Sequence, residues 1–225
     1  MPFRSLVDGR AFRNSVGTHY THCPMPKLSA QARARKIKLL LFDVDGVLTD
    51  GKLFFVPVGS RHTEGTSSTE QSAQDQIEVK GFHAHDGVGT SLARIAGLKT
   101  GLITRRVSET VALRARDLKL NHIHQGIQDK RACFEEIVKR EGLKPEEAAF
   151  MGDDVIDLSA MRAAGLAIAV KNARAEVKKE AHYVTPHAGG DGAVRDAVEF
   201  ILKAQGRWKK VLKAYLGEHS PRRSS

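Results

Sequence analysis

The sequence predicts an α/β protein with a mainly parallel sheet and helices on both of its faces. Short apolar runs alternate with amphipathic segments from residue 88 onward, which is the pattern of repeated βαβ units. The run from Ile37 to Val44 is short and largely apolar, as expected of a central strand covered on both faces. Two such runs end in clusters of carboxylates, where an open α/β sheet places its ligands. With 225 residues, 41% hydrophobic and 28% charged, the chain can bury a full sheet, and its body is too apolar for wholesale disorder.

Residues 1–35 carry no sustained apolar period and read as a poorly ordered basic extension. Met25, followed by Pro26-Lys27-Leu28, is the expected true start, ahead of an organellar transit peptide as the alternative. The catalytic body is expected over 36–206. After the first strand, Leu53–Val56 and Gln76–Val79 predict a β-hairpin over 52–80 with a long polar tip from Gly59 to Asp75. The spacing then predicts a helix over 88–97, a strand Lys99–Thr104, a helix over 108–118, a strand near Ile123 and a helix over 130–141. There follow a strand Ala148–Gly152, a helix over 157–164, a strand Leu166–Val170, a helix over 173–180, a strand near Tyr183 and a helix over 192–203. Residues 207–225 form a C-terminal helix or tail, in which Trp208, Val211, Leu212 and Tyr215 make an apolar stripe suited to core or subunit packing.

The formal net charge of +10 is concentrated at the ends: seven bases precede Lys38 against the single acid Asp8, and six follow from Arg207 on. No nucleic-acid reader motif accompanies them, so they read as solvated ends and no nucleic-acid partner is expected. Cys23 and Cys133 form neither a disulfide framework nor a metal-binding spacing, and no run is long or apolar enough for a membrane span. A cytoplasmic protein without a membrane partner is expected.

The chemistry concentrates at strand ends. Asp43-Val44-Asp45-Gly46 follows the first apolar run, so one carboxylate can attack phosphorus and ligate a hard cation while the next handles the leaving group's proton. A lone Asp-x-Asp also recurs by chance or in a solvated loop. Gly152-Asp153-Asp154-Val155-Ile156-Asp157 brings three more acids to the same sheet edge, more than a helix cap needs, although one can serve as a cap. Thr104 ends another strand and suits phosphoryl oxygens. Lys130 opens a helix and can offset the charge that Asp43 and a phosphate would otherwise set in repulsion.

In this order, these four segments resemble the haloacid dehalogenase superfamily of phosphatases. The resemblance implies a Rossmannoid three-layer sandwich and an aspartyl-phosphate mechanism. Asp43 would attack phosphorus; Asp45 would protonate the leaving alcohol and then activate water. Mg²⁺ would be held by Asp43, the backbone carbonyl of Asp45 and Asp153, with Asp154 and Asp157 orienting Asp153, water and Lys130. Neither inter-motif gap has room for a cap domain, so a capless member is expected, its hairpin lending a lid to a neighbouring subunit.

More narrowly, Phe42–Gly51, Phe82–Gly87, Gly152–Leu158 and Ala188–Arg195 are similar to the 3-deoxy-D-manno-octulosonate 8-phosphate phosphatase family. That likeness implies a small phosphorylated sugar acid as substrate, a homotetramer and a place in lipopolysaccharide precursor synthesis. Substrate contacts would come from His83, His85, Asp86, Gly87 and Arg106. Three departures accompany it. His85 stands where the family usually carries Arg, Arg105 where it usually carries Gly, and the hairpin is longer. His83 and His85 would face one way on a strand, but no third ligand accompanies them for zinc. Ala188–Gly192 either approaches the site or simply turns the chain. A nonulosonate 9-phosphate as substrate and a non-catalytic oligomeric domain are the alternatives.

Overall fold

A computed structural model describes residues 28–57 and 76–218. The expected hairpin tip and most of the N-terminal extension lie outside them. The fold is a six-stranded parallel sheet made of β1 (Leu39–Phe42), β4 (Lys99–Ile103), β5 (His122–His124), β6 (Ala148–Gly152), β7 (Leu166–Ala169) and β8 (Tyr183–Val184), in the order β5-β4-β1-β6-β7-β8. All four residues of β1 are buried, because both faces of this central strand are covered. On such a strand an alanine in place of Leu40 would cost about 2–5 kcal/mol in lost transfer energy and cavity.

The chain leaves β1 for β4 on one side and later places β6 on the other, so the strand order reverses at β1. That reversal opens a crevice at the carboxyl ends of β1, β4 and β6, where ligands of such sheets bind. β2 (Phe54–Pro57) and β3 (Gln76–Val79) pair antiparallel as a separate two-stranded ribbon, and no cap domain is present among the described residues.

Helices α2 (Ala84–Ile95), α3 (Glu109–Asp117), α4 (Lys130–Arg140), α5 (Leu158–Ala163), α6 (Ala175–Glu180) and α7 (Ala193–Ala204) join or follow the strands. Each buries an apolar face; in α7 it comprises Val194, Ala197, Val198, Ile201 and Leu202. Phe134 of α4 meets Phe150 of β6 edge to face, their centroids 6.2 Å apart.

Two boundaries differ from expectation, and the C-terminal stripe takes the helical of its two expected forms. Residues 30–34, assigned to the poorly ordered extension, form helix α1 (Ala30–Ala34), capped by the Ser29 hydroxyl and burying Ala34 against α7. The C-terminal stripe forms its own helix, α8 (Trp208–Glu218), because Gly206 (φ 68°) turns the chain after α7. Helix α2 starts four residues before the expected 88, at Ala84, so His83 and His85 lie on a helix cap and first turn and not on a strand. Gly87 and Gly89, both weak helix formers, hide that start in the sequence.

Candidate active site

The carboxyl ends of β1, β4 and β6 deliver Asp43, Thr104 and Asp153 to a pocket of about 270 Å³, completed by Asp45, Gly51, Arg105, Arg106, Asp154 and Ile156. Asp43 is 4% exposed, and its backbone N–H still donates to Met151 O of β6 (3.0 Å), so the sheet itself fixes the start of this loop. Gly46 then turns the chain at φ 89°. A Cβ there would lie 2.2 Å from Asp153 Oδ2, so only glycine lets the loop pass the β6 acid.

Lys130, at the start of α4, is almost wholly buried between two carboxylates. Its Nζ donates to Asp157 Oδ1 at 2.6 Å and stands 2.9 Å from Asp43 Oδ1. Asp157 is also completely buried, and its Oδ2 accepts from the backbone N–H of Asp153 (3.0 Å) and of Asp154 (3.4 Å). It therefore ties Lys130 to the β6 loop. Asp154 accepts from Val155 N at 2.7 Å and caps the 3₁₀ turn that follows.

These acids crowd one another. Burial, then the charge of Asp157, pushes Asp43 up to about 6 against the opposing Lys130. Burial, then Asp157, Asp43 and Asp154, pushes Asp153 up to about 7. For Lys130, burial acts downward, but Asp43 and Asp157 outweigh it and raise its pKa. Carboxylate oxygens of Asp43, Asp153 and Asp157 lie within 4.8 Å of one another; Asp43 Oδ1 has the Lys130 ammonium beside it, whereas Asp153 Oδ1 is buried without a hydrogen bond. Hard, anionic and under-satisfied oxygens at this spacing fit a divalent cation such as Mg²⁺. Asp157, expected only to orient its neighbours, offers one of the three oxygens.

Asp45 faces different partners. Its Oδ1 pairs with Lys80, and its Oδ2 lies 3.6 Å from Arg106 Nε. Arg106 Nη2 also reaches Glu78 Oε1 (2.5 Å), and Lys80 Nζ lies 3.5 Å from the same oxygen. Burial would raise Glu78, but hydrogen bonds to Ser108 and Arg106 hold it below the usual carboxylate range. Sequence reasoning missed Glu78 and Lys80. The alternation Gln76-Ile77-Glu78-Val79-Lys80 carried the signal, since it puts both charges on one face of β3's extension and Ile77 and Val79 on the other.

A model of haloacid dehalogenase-like hydrolases matches residues 27–196. The chain belongs to the haloacid dehalogenase-like hydrolases. Within this family it groups with the 3-deoxy-D-manno-octulosonate 8-phosphate phosphatases. It is 35% identical to the Escherichia coli BL21-DE3 enzyme of that name over 86% of this chain and 95% of the relative. It is also similar to the Moraxella catarrhalis phosphatase of that name, solved with magnesium, phosphate and 3-deoxy-D-manno-octulosonate (TM-score 0.71, 34% identity, 83% of this chain and 97% of that one). A third similar structure is the cobalt-bound Haemophilus influenzae phosphatase (TM-score 0.69, 30% identity, 82% and 99%).

As a member of this family the chain is a hydrolase, and the loop that follows Asp43 is braced from behind. Gly190 N donates to Val47 O (3.0 Å), and a Cβ on Gly189 would lie 1.7 Å from Gly46 O, so the Ala188–Gly192 segment packs directly on the loop that follows Asp43. It is thus more than a free turn.

The expected substrate contacts divide. Arg106 lines the Asp43 pocket, whereas His83, His85, Asp86 and Gly87 do not. His85 lines a separate cavity of about 260 Å³ with His187, Gly192, Arg195, Asp196 and Glu199. His83 caps α2, its Nδ1 accepting from His85 N at 3.2 Å. Gly87 presents its carbonyl to Thr90 and Ser91. Asp86 is completely buried and its Oδ1 accepts from Arg195 N (3.0 Å), so in this fold it holds the start of α7, away from the Asp43 pocket. Burial pushes it up to about 6.

Proposed function

We propose that this protein hydrolyses 3-deoxy-D-manno-octulosonate 8-phosphate to the free sugar acid and phosphate, with Mg²⁺, through an aspartyl-phosphate on Asp43. The observation that carries this reading is the buried Asp43, 2.9 Å from Lys130 and beside the unsatisfied Asp153 oxygen, at the switch point of the sheet. Relatives of that name, and one that binds magnesium, phosphate and the sugar acid, support the substrate.

Asp43 attacks phosphorus. Asp45, two residues on and open to the pocket, gives its proton to the leaving alcohol and later takes one from the attacking water. The Thr104 hydroxyl, at the end of β4 and 2% exposed, donates to a phosphoryl oxygen, and Lys130 keeps Asp43 and the phosphate from repelling each other. Asp43, the Asp45 carbonyl and Asp153 would hold the metal, with an Asp157 oxygen close by; when bound, Mg²⁺ neutralises charge on the phosphoryl oxygens. Asp154 and Asp157 position the β6 loop. His83, His85 and Gly87 would contact the sugar only across a subunit boundary.

The hairpin favours a homotetramer. Leu53, Phe54, Phe55, Val56, Ile77 and Val79 are all at least 44% exposed, an apolar surface that a second copy would cover. Replacing Phe55 and Ile77 by serine should give a smaller species in sedimentation. A cytoplasmic location and a role in lipopolysaccharide precursor synthesis accompany this reading, without nucleic-acid or membrane partners; no described helix is long and apolar enough to cross a membrane.

The test is phosphate release with Mg²⁺ from 3-deoxy-D-manno-octulosonate 8-phosphate, a nonulosonate 9-phosphate and p-nitrophenyl phosphate. Selective turnover of the first is expected. Preference for the second would move the substrate, and equal turnover of all three would reject a specific sugar acid.

A further inference from the structure

Charge pairing around the Asp43 pocket leaves one cation over. Lys130 stands between Asp43 and Asp157, Lys80 between Asp45 and Glu78, and Arg106 reaches Glu78 and Asp45. Arg105 lines the same pocket, yet no carboxylate among the described residues pairs with it. Its Nη2 donates instead to the neutral amide oxygen of Gln128 at 2.7 Å. A guanidinium held by an amide keeps its full charge and most of its five donors for another acceptor.

We infer that Arg105 binds the phosphoryl group of the substrate, an inference that rests on the phosphatase reading and assigns it an additional anion-holding side chain. Arg105 directly follows Thr104 at the end of β4, and Gln128 lies two residues before Lys130, so the guanidinium spans two elements that carry phosphate-directed groups. At about 270 Å³ the pocket holds a phosphoryl group and part of a sugar, and Arg105 lines it beside Thr104. The other three cations are already matched to carboxylates. The two negative charges of a phosphate monoester therefore meet Arg105 as the one cation lining this pocket that, among the described residues, has no anion of its own. The planar fork suits two phosphoryl oxygens at once.

The test measures inorganic phosphate binding to the Mg²⁺-loaded full chain by calorimetry, beside free 3-deoxy-D-manno-octulosonate, in the wild type, Arg105→Gln and Arg105→Lys. Arg105→Gln should weaken phosphate binding roughly tenfold to a hundredfold, the loss of one or two charge-assisted hydrogen bonds, and raise KM for p-nitrophenyl phosphate more than it lowers kcat. Arg105→Lys should fall between, having charge without the fork. Binding of the free sugar acid should not change. Unchanged phosphate affinity with a lowered Tm would overturn the inference, leaving Arg105 as a tie to Gln128. So would weakened sugar-acid binding with phosphate intact, which would make it a carboxylate contact. Failure of the phosphatase reading is separable, because wild type and variant alike would then show no Asp43-dependent turnover of any ester.

Discussion

Asp43 and Asp45 stand two residues apart on one loop, yet they live in opposite surroundings. Asp43 is 4% exposed, set by the sheet among Asp153, Asp157 and Lys130. Asp45 keeps a side chain 21% exposed and is held by Lys80 and Arg106, the first of them carried on the hairpin arm. The difference suits the separate duties proposed for them. A nucleophile needs a fixed line of attack and a metal beside it, which four buried elements supply; an acid–base group needs access to leaving group and water, which a partly open ion-pair cluster permits.

The largest effect should come from Asp43→Asn, which removes the proposed nucleophile and leaves the volume: turnover should fall on the order of 10⁴-fold or more while circular dichroism stays native. Comparable activity in that variant would erase the distinction between the two acids. Lys130→Met should come next. It strands Asp43 and Asp157 without a counter-charge and should cost about 3–5 kcal/mol in urea unfolding of the metal-free protein.

The pH dependence of the metal-free protein sharpens the contrast from the buried side. Asp43 and Asp153 are raised to about 6 and about 7 in the fold, so the native state binds protons more tightly than the unfolded chain. Stability should therefore be greatest below about pH 4 for this cluster and decline as pH rises to 7, by roughly 2 kcal/mol or more. Mg²⁺ should then raise Tm more at pH 8 than at pH 5.5. An equal shift at both would mean that these carboxyls are not the ones the metal meets.

The smallest effect belongs to the open side. Lys80→Met should lower turnover by roughly ten- to a hundredfold through a misplaced Asp45; the Lys80 side chain is itself buried, but its partners Asp45 and Glu78 keep Arg106 and some contact with solvent, so the change should cost less stability than Lys130→Met. A stability loss matching that of Lys130→Met would show that the two clusters are alike.

The buried cluster was the legible one. Asp43, Thr104 and Asp153 each end a short apolar run, and a run of that kind states both that it is a strand and where it stops. Lys130 and Asp157 followed because their motifs are local. The open cluster was legible only in part: the alternation over 76–80 puts Glu78 and Lys80 on one face, but that they meet Asp45 follows from the way the hairpin arm lies against the sheet, which a 2-residue period does not report. Asp86 was hidden for a related reason: its partner, Arg195 N, is 109 residues away and belongs to backbone, which no side-chain motif reports. Phe82–Gly87 resembled a substrate segment, but His83 and Asp86 are engaged in starting α2 and α7.

The most direct test traps the covalent step. Asp45→Asn protein, loaded with Mg²⁺ and mixed with 3-deoxy-D-manno-octulosonate 8-phosphate, would be acid-quenched, digested and its peptides weighed. Loss of Asp45 slows phosphorylation as well, but it also removes the base that activates water against the acyl phosphate, so the peptide containing Asp43 should accumulate the mass of one phosphoryl group. Phosphate release by the wild type with no phosphoryl group on that peptide, or with the group on another residue, would contradict the assignment of Asp43 as nucleophile.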